Sequence, residues 1–352
     1  MNFFEYIKEN YPQAIYDGNS FLCFTNLEEE LAALKNGVCL KVVEQPTLIK
    51  MIGKDTVDFL HRVSTNDVKE LKPFTKKNTL FLNEKGRFIA KTTLISVDNE
   101  YWVLSDYDSS NRLFSWINKF IIMEDIKTEV ISDKFSLLEL SGPQADSFAM
   151  LLVGDELAKT DAEDFRRFDV DGFTFYLFRN NESNSCHSIK ILIDSARLTD
   201  FVDHLFKIKS VFDLSLIGKH AQNTFRVEKL IPSFPNEVNV DANPHEVNLI
   251  CDVCSTKGCY IGQEVIARLD TYDKIQRKLA KVVSSERILD DQKIILDENG
   301  EEAGAITTHG VYANSHGYSS LCLMKKKSLS PSNQFHVLIG SRKVPVKVIN
   351  AD

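Results

Sequence analysis

The chain has 352 residues, 43% hydrophobic and 26% charged, enough to bury a substantial core and to form two or three domains. Its net charge of −8 gives no support to nucleic-acid binding, which calls for a basic surface, and no apolar run approaches a membrane span. The start, Met1 to Asn10, lacks the features of a signal peptide or of an Arg-rich presequence, and seven cysteines, an odd number, argue for reduced thiols. A cytoplasmic protein is expected.

Residues 1–50 mix short helical and strand-like pieces, with Cys23 and Cys39 among apolar neighbours as expected core thiols. Residues 55–63 read as an amphipathic helix, apolar at Val57, Leu60 and Val63, which ends in Ser64-Thr65-Asn66-Asp67. Strands are expected at 79–83, 88–97 and 101–104, joined by turns at 84–87 and 98–100, and a helix from about Ser109 to Phe120. Further strand patterns fill 164–193. Leu198, Phe201, Val202, Leu205 and Phe206 then mark a helix that Asp194 or Ser195 is placed to cap. Leu214, Ile217, Ala221 and Phe225 predict another helix, stopped before Pro232. Residues 231–256 read as an irregular connection. After Lys278, short alternating strands with turns at 298–300 and 340–342 predict a small β-barrel or sandwich. Strands and helices without regular alternation before 277 suggest α+β with mainly antiparallel sheet, divided into domains 1–277 and 278–352.

One string stands apart: Lys257-Gly258-Cys259-Tyr260-Ile261-Gly262-Gln263-Glu264-Val265-Ile266-Ala267-Arg268. Two glycines four apart bracket a thiol, and cationic side chains near a thiol favour the thiolate, the form that attacks electrophiles or binds metal. By residue type alone the same string also fits a glycine turn with Cys259 as a small buried hydrophobe.

The string resembles the signature of the YgfZ family of folate-binding proteins, relatives of the glycine-cleavage T-protein (aminomethyltransferase) that serve in iron–sulfur cluster maintenance. Phe59-Leu60 with Thr65-Asn66-Asp67-Val68, the turn Leu82-Asn83-Glu84-Lys85-Gly86-Arg87, and Leu140-Ser141-Gly142-Pro143 extend the similarity. Arg226-Val227-Glu228 with Pro232 is similar to an R-x-E-x-G-x-P motif in which Leu230 replaces the glycine. The resemblance implies an aminomethyltransferase-like folate-binding fold, two interleaved antiparallel α+β lobes around a central hole for folate, followed by a small β-barrel. It implies tetrahydrofolate or a derivative as cofactor, and iron–sulfur client or assembly proteins as partners; neither membrane nor nucleic acid is expected, on the charge and hydropathy above.

In that reading Cys259 is the reactive centre, Lys257 and Arg268 favour its thiolate, and Tyr260, Gln263 and Glu264 shape the loop beside the cofactor. Arg226 is the candidate for the folate tail; a helix C-terminal arginine held by the dipole is the alternative. Where the transferase carries an acidic pair after the L-N-x-K-G turn, this chain has Ala90 and Lys91, and its Y-T-G-E motif has no counterpart near 176–189. A carboxylate that handles a proton cannot be replaced by a methyl or an ammonium in that role. Aminomethyl transfer is therefore the second reading. A third places zinc or redox chemistry on Cys251-x-x-Cys254, for which two incidental cysteines are the competing account. No metal is expected.

Overall fold

A computed structural model describes residues 2–107, 110–182, 186–289, 291–329 and 333–350. The chain forms two compact units: residues 1–79 with 90–222, and residues 80–89 with 223–352.

The first unit holds a six-stranded sheet in the order Phe165–Val170, Phe173–Glu182, Cys186–Asp194, Phe135–Ser141, Val38–Val42, Leu214–Leu216. Every pairing is antiparallel except the last, where Leu214–Leu216 runs parallel to Val38–Leu40. Successive side chains on a strand face opposite ways, and these strands are apolar on both faces. Phe175, Leu177 and Ile191 pack with helices Ala145–Val153 and Leu198–Ile208 through Phe148, Phe201 and Leu205. Phe178, Leu192 and Leu137 join Trp102, Leu48 and Ile95 of a second sheet. That second sheet has five strands, ordered Lys76–Leu82, Phe88–Val97, Glu100–Ser105, Thr47–Ile52, Lys127–Val130. The outer part of its first hairpin, residues 80–89, is counted with the second unit.

The periodic segments fold as read, with Phe88–Val97 a strand and Thr56–Val63, Ser110–Phe120 and Leu198–Ile208 helices. Asp194 caps a short 3-10 turn, Ser195–Arg197, by accepting from the Ala196 N–H. The helix Leu198–Ile208 itself follows Arg197 and starts without a side-chain cap, against expectation, and a second expectation fails. Leu214 does not open a helix but lies in a three-residue strand, and the helix begins only at Lys219. Gly218 divides them, in a place where a Cβ would lie 2.4 Å from the Leu22 carbonyl oxygen. The helix runs Lys219–Glu228 and closes in a Schellman arrangement, the Ile231 N–H donating to the Arg226 carbonyl and the Leu230 N–H to that of Val227. Leu230, which stands for the motif's glycine, takes the left-handed conformation that this ending requires, with φ of 55°.

In the second unit six strands close into an antiparallel barrel: Arg277–Ser284, Arg342–Asn350, Phe335–Ile339, Ile294–Asp297, Glu302–Thr308 and Gly317–Lys325, which pairs back onto the first. Closure removes exposed strand edges. Inside lie Val282, Ile295, Ile306, Cys322, Met324, Val337 and Val344. Leu279, Leu321 and Leu323 belong instead to a second cluster, with Leu80, Leu82 and Phe88 of the hairpin and Val238, Val247, Tyr260 and Ile266. The irregular connection expected over 231–256 is a run of turns whose one named element is the short 3-10 helix Ile250–Asp252. Among the described residues no helix is long and apolar enough to cross a membrane.

Candidate functional site

The signature string is a loop feeding a short helix in the second unit. Lys257 is buried, Cys259 exposed and Tyr260 buried again, and the helix Gln263–Thr271 starts after Gly262. Gly262 has φ of 86°, and a Cβ there would meet the Asn83 carbonyl oxygen at 2.6 Å. Reciprocally, Gly86 has φ of 67°, and its absent Cβ leaves room for Ile266 and Val265, whose side-chain carbons would lie 3.1 and 3.3 Å away. Asn83 holds its own turn: its side-chain oxygen accepts from the Lys85 and Arg87 N–H groups at 2.9 and 3.0 Å, and its carbonyl from Gly86 at 2.9 Å. Two motifs far apart in sequence are thus one structure, a turn and a helix start that meet at their glycines.

Each residue expected on the loop has a definite place. Tyr260, 9% exposed, points into the cluster with Leu82 and Phe88, where burial, with Cys254 nearby, pushes its phenol up to about 12. The Lys257 ammonium lies 5.4 Å from the centre of that ring, a cation–π contact. Gln263 donates its N–H to the Tyr260 carbonyl at 3.2 Å, tightening the helix start. Glu264 and Arg268 form an exposed pair one turn apart on the helix, at 3.1 Å. Lys257 thus lies over the Tyr260 ring, and Arg268 beside Glu264 on the exposed face of the helix. Cys259 itself faces solvent.

Arg226 is 5% exposed and ion-paired at 2.9 Å with Glu237, which is fully buried. It also donates to Asn223 and to the Thr308 hydroxyl, while Glu237 accepts from the Ser233 N–H and from Thr307 and Thr308. Burial draws this guanidinium down from its ordinary value even though Glu237 opposes the shift. A cation so held would have to leave Glu237 to meet a folate tail. Cys251 is exposed and Cys254 half-buried beside the Thr256 hydroxyl, and among the described residues no three metal-competent side chains gather.

The first unit carries a polar cluster that the motifs did not mark. Ala90 is fully buried in its strand, and the Lys91 N–H donates to the Tyr107 hydroxyl at 2.8 Å. Asp106 is ion-paired with Lys190, whose side chain is only 3% exposed. Burial would raise the Asp106 carboxyl, but the Lys190 ammonium, with Lys91 and Lys41 behind it, holds it below the usual carboxylate range. Lys41 reaches Glu139 at 3.5 Å, and the Ser188 hydroxyl donates to Glu139 at 2.6 Å. The signal was present in the strand patterns, where Lys41 and Lys190 interrupt the apolar runs Cys39-Leu40 and Ile189–Ile193. Lysines in such places are buried only with partners.

The chain matches the family described as GCVT N-terminal domain over residues 5–257. It belongs to that family. Relatives of this GCVT-domain chain include the aminomethyltransferase of Staphylococcus carnosus, 22% identical over 330 residues that make up 93% of this chain and 89% of that one. That of Thermotoga maritima is 24% identical over 92% of this chain and 88% of its own. The mitochondrial aminomethyltransferase of Solanum tuberosum is 28% identical, over 74% and 66%. In structure the chain resembles the glycine cleavage system aminomethyltransferase T of Bartonella henselae, with a TM-score of 0.82 over 98% of this chain and 95% of that one at 16% identity. The fold is therefore α+β and aminomethyltransferase-like, completed by the C-terminal barrel.

Proposed function

We propose that this GCVT-domain chain binds a reduced folate and serves as an accessory factor in assembly or repair of iron–sulfur clusters, with Cys259 as its working thiol. The observation that carries the proposal is the exposure of Cys259 on a loop whose helix start is locked by Gly262 against Asn83. Backbone fixed that tightly presents a side chain in one place, as a thiol that must meet a partner protein or its cluster requires. Lys257 and Arg268 would contribute positive charge to the loop, and Tyr260, Gln263 and Glu264 its shape.

Folate needs polar groups for the pterin edge and cations for its carboxylates. The first-unit cluster has both kinds. Asp106 and Glu139 are suited to accept from pterin N–H groups, and Lys41 and Lys91 to meet glutamate carboxylates. Arg226, bound to Glu237, is better suited to holding its helix end in place.

The second reading is folate-dependent aminomethyl transfer, and the names of the curated relatives favour it. Ala90, buried where the transferase motif carries an acid, speaks against it, because a methyl cannot accept a proton. Calorimetry with tetrahydrofolate, followed by an assay with aminomethylated lipoyl carrier protein, separates the two. Saturable folate binding without one-carbon transfer is expected. Methylene-tetrahydrofolate formed with the carrier would replace the accessory reading with the second one, and no binding of any reduced folate would remove the cofactor from both.

A further inference from the structure

A cavity of about 700 Å³ opens in the second unit, on the face of the signature helix that carries Val265 and Leu269. Its remaining wall is polar, six charged side chains with Asn243 and Gln276. Lys85, Arg87, Lys274 and Arg277 line it against only two carboxylates, Asp241 and Glu246, so that a chain of net charge −8 holds a local excess of two positive charges here.

The arginines are fixed in place. Glu246, whose side chain is 4% exposed, accepts from Arg87 Nη1 at 2.9 Å and from Arg277 Nε and Nη2, both at 2.9 Å. The Asp241 carbonyl accepts from both guanidinium groups as well. The Asn243 N–H secures Glu246 from behind at 3.2 Å. One buried carboxylate therefore orients two guanidinium groups. Among the described residues, Arg87 Nε and Nη2 and Arg277 Nη1 keep donors without a protein acceptor, and no carboxylate pairs with Lys85 or Lys274.

A forked donor pre-oriented in this way matches the oxygens of phosphate or carboxylate, and flexible ammonium groups beside it add charge without demanding one geometry. We propose that this cavity binds a small molecule bearing two or more neighbouring negative charges, of the size of a diphosphate or a short γ-linked glutamyl chain. Val265 and Leu269 supply an apolar wall for the carbon part of such a ligand. The site shares no residue with the cluster assigned to folate and stands whether or not folate binds there.

The test is calorimetric titration of the full chain with inorganic pyrophosphate and, separately, with tri-γ-glutamate, at fixed ionic strength. Three proteins are compared: the unchanged chain, Lys85→Gln with Lys274→Gln, and Lys35→Gln with Lys127→Gln. The last pair removes the same charge from exposed lysines elsewhere. Saturable one-to-one binding is expected, weakened about tenfold or more by the cavity pair and unchanged by the control pair. The tighter of the two probes identifies whether phosphate or a carboxylate chain is the source. The proposal is overturned if neither probe binds saturably at millimolar concentration, or if the two double variants weaken binding equally. All four lysines are exposed, so circular dichroism of both variants should match the unchanged chain.

Discussion

The α-carbon of Gly262 sits so close to the backbone of Asn83 that a β-carbon on it would lie 2.6 Å from the Asn83 carbonyl oxygen. This contact ties the signature loop to the hairpin turn, and neither side can give without moving backbone. Gly262→Ala should therefore cost about 2–4 kcal/mol, from the left-handed φ and the clash together. Gly86→Ala should cost less, because the atoms it would meet are the ends of the Ile266 and Val265 side chains. Urea unfolding midpoints decide this. Equal, small losses at both positions would show that the interlock is not rigid.

Among the described residues, Arg226 and Glu237 form the best-buried ion pair of the second unit. Arg226→Ala should destabilise by about 3–5 kcal/mol, since it leaves the Glu237 carboxylate unpaired in the interior. Arg226→Lys should recover only part of this, because an ammonium cannot span Asn223, Glu237 and Thr308 as the guanidinium does. If Arg226→Ala instead left stability intact and selectively weakened folate binding, the arginine would be a tail ligand after all.

The Asp106–Lys190 pair gives a pH signature. Because the Asp106 carboxyl is held below its usual range, its contribution to stability is complete above the unfolded value of about 3.9 and is lost as pH falls through the lower folded value. Asp106→Asn should lower stability by about 2 kcal/mol near neutral pH, where the buried Lys190 ammonium loses this carboxylate, and by progressively less below about pH 4. Thermal midpoints of both proteins from pH 3 to about pH 8 report the difference. Coincident curves over that range would mean the pair contributes nothing.

Cys259 should alkylate far faster than Cys23, Cys39 and Cys322. Burial pushes all three of those thiols up, Cys23 to about 12 with Glu30 beside it. Because Cys251 is exposed as well, the measurement belongs in a Cys251→Ser, Cys254→Ser background. In that background Cys259→Ser should change stability by less than about 0.5 kcal/mol, as expected of an exposed side chain, and, on the proposed function, should abolish complementation in cells that lack this chain. An active Cys259→Ser variant would reduce the loop to a structural turn.

The sequence by itself determined the elements whose cause is local. Phe88–Val97 and Leu198–Ile208 follow from their own periodicity, the barrel from alternation after 278, and the glycines of the two motifs from the turns they occupy. What only the tertiary structure decided has its cause elsewhere in the chain. Leu214–Leu216 is a strand because Val38–Leu40 offers a parallel edge beside it, and no pattern within 214–225 carries that information. The environment of Arg226 depends on Glu237 and on Thr308, 82 positions away, and that of Asp106 on Lys190, 84 positions away. A charge is legible in sequence, but its partner is set by how distant strands are brought together, and in a buried site the partner decides what the charge can do.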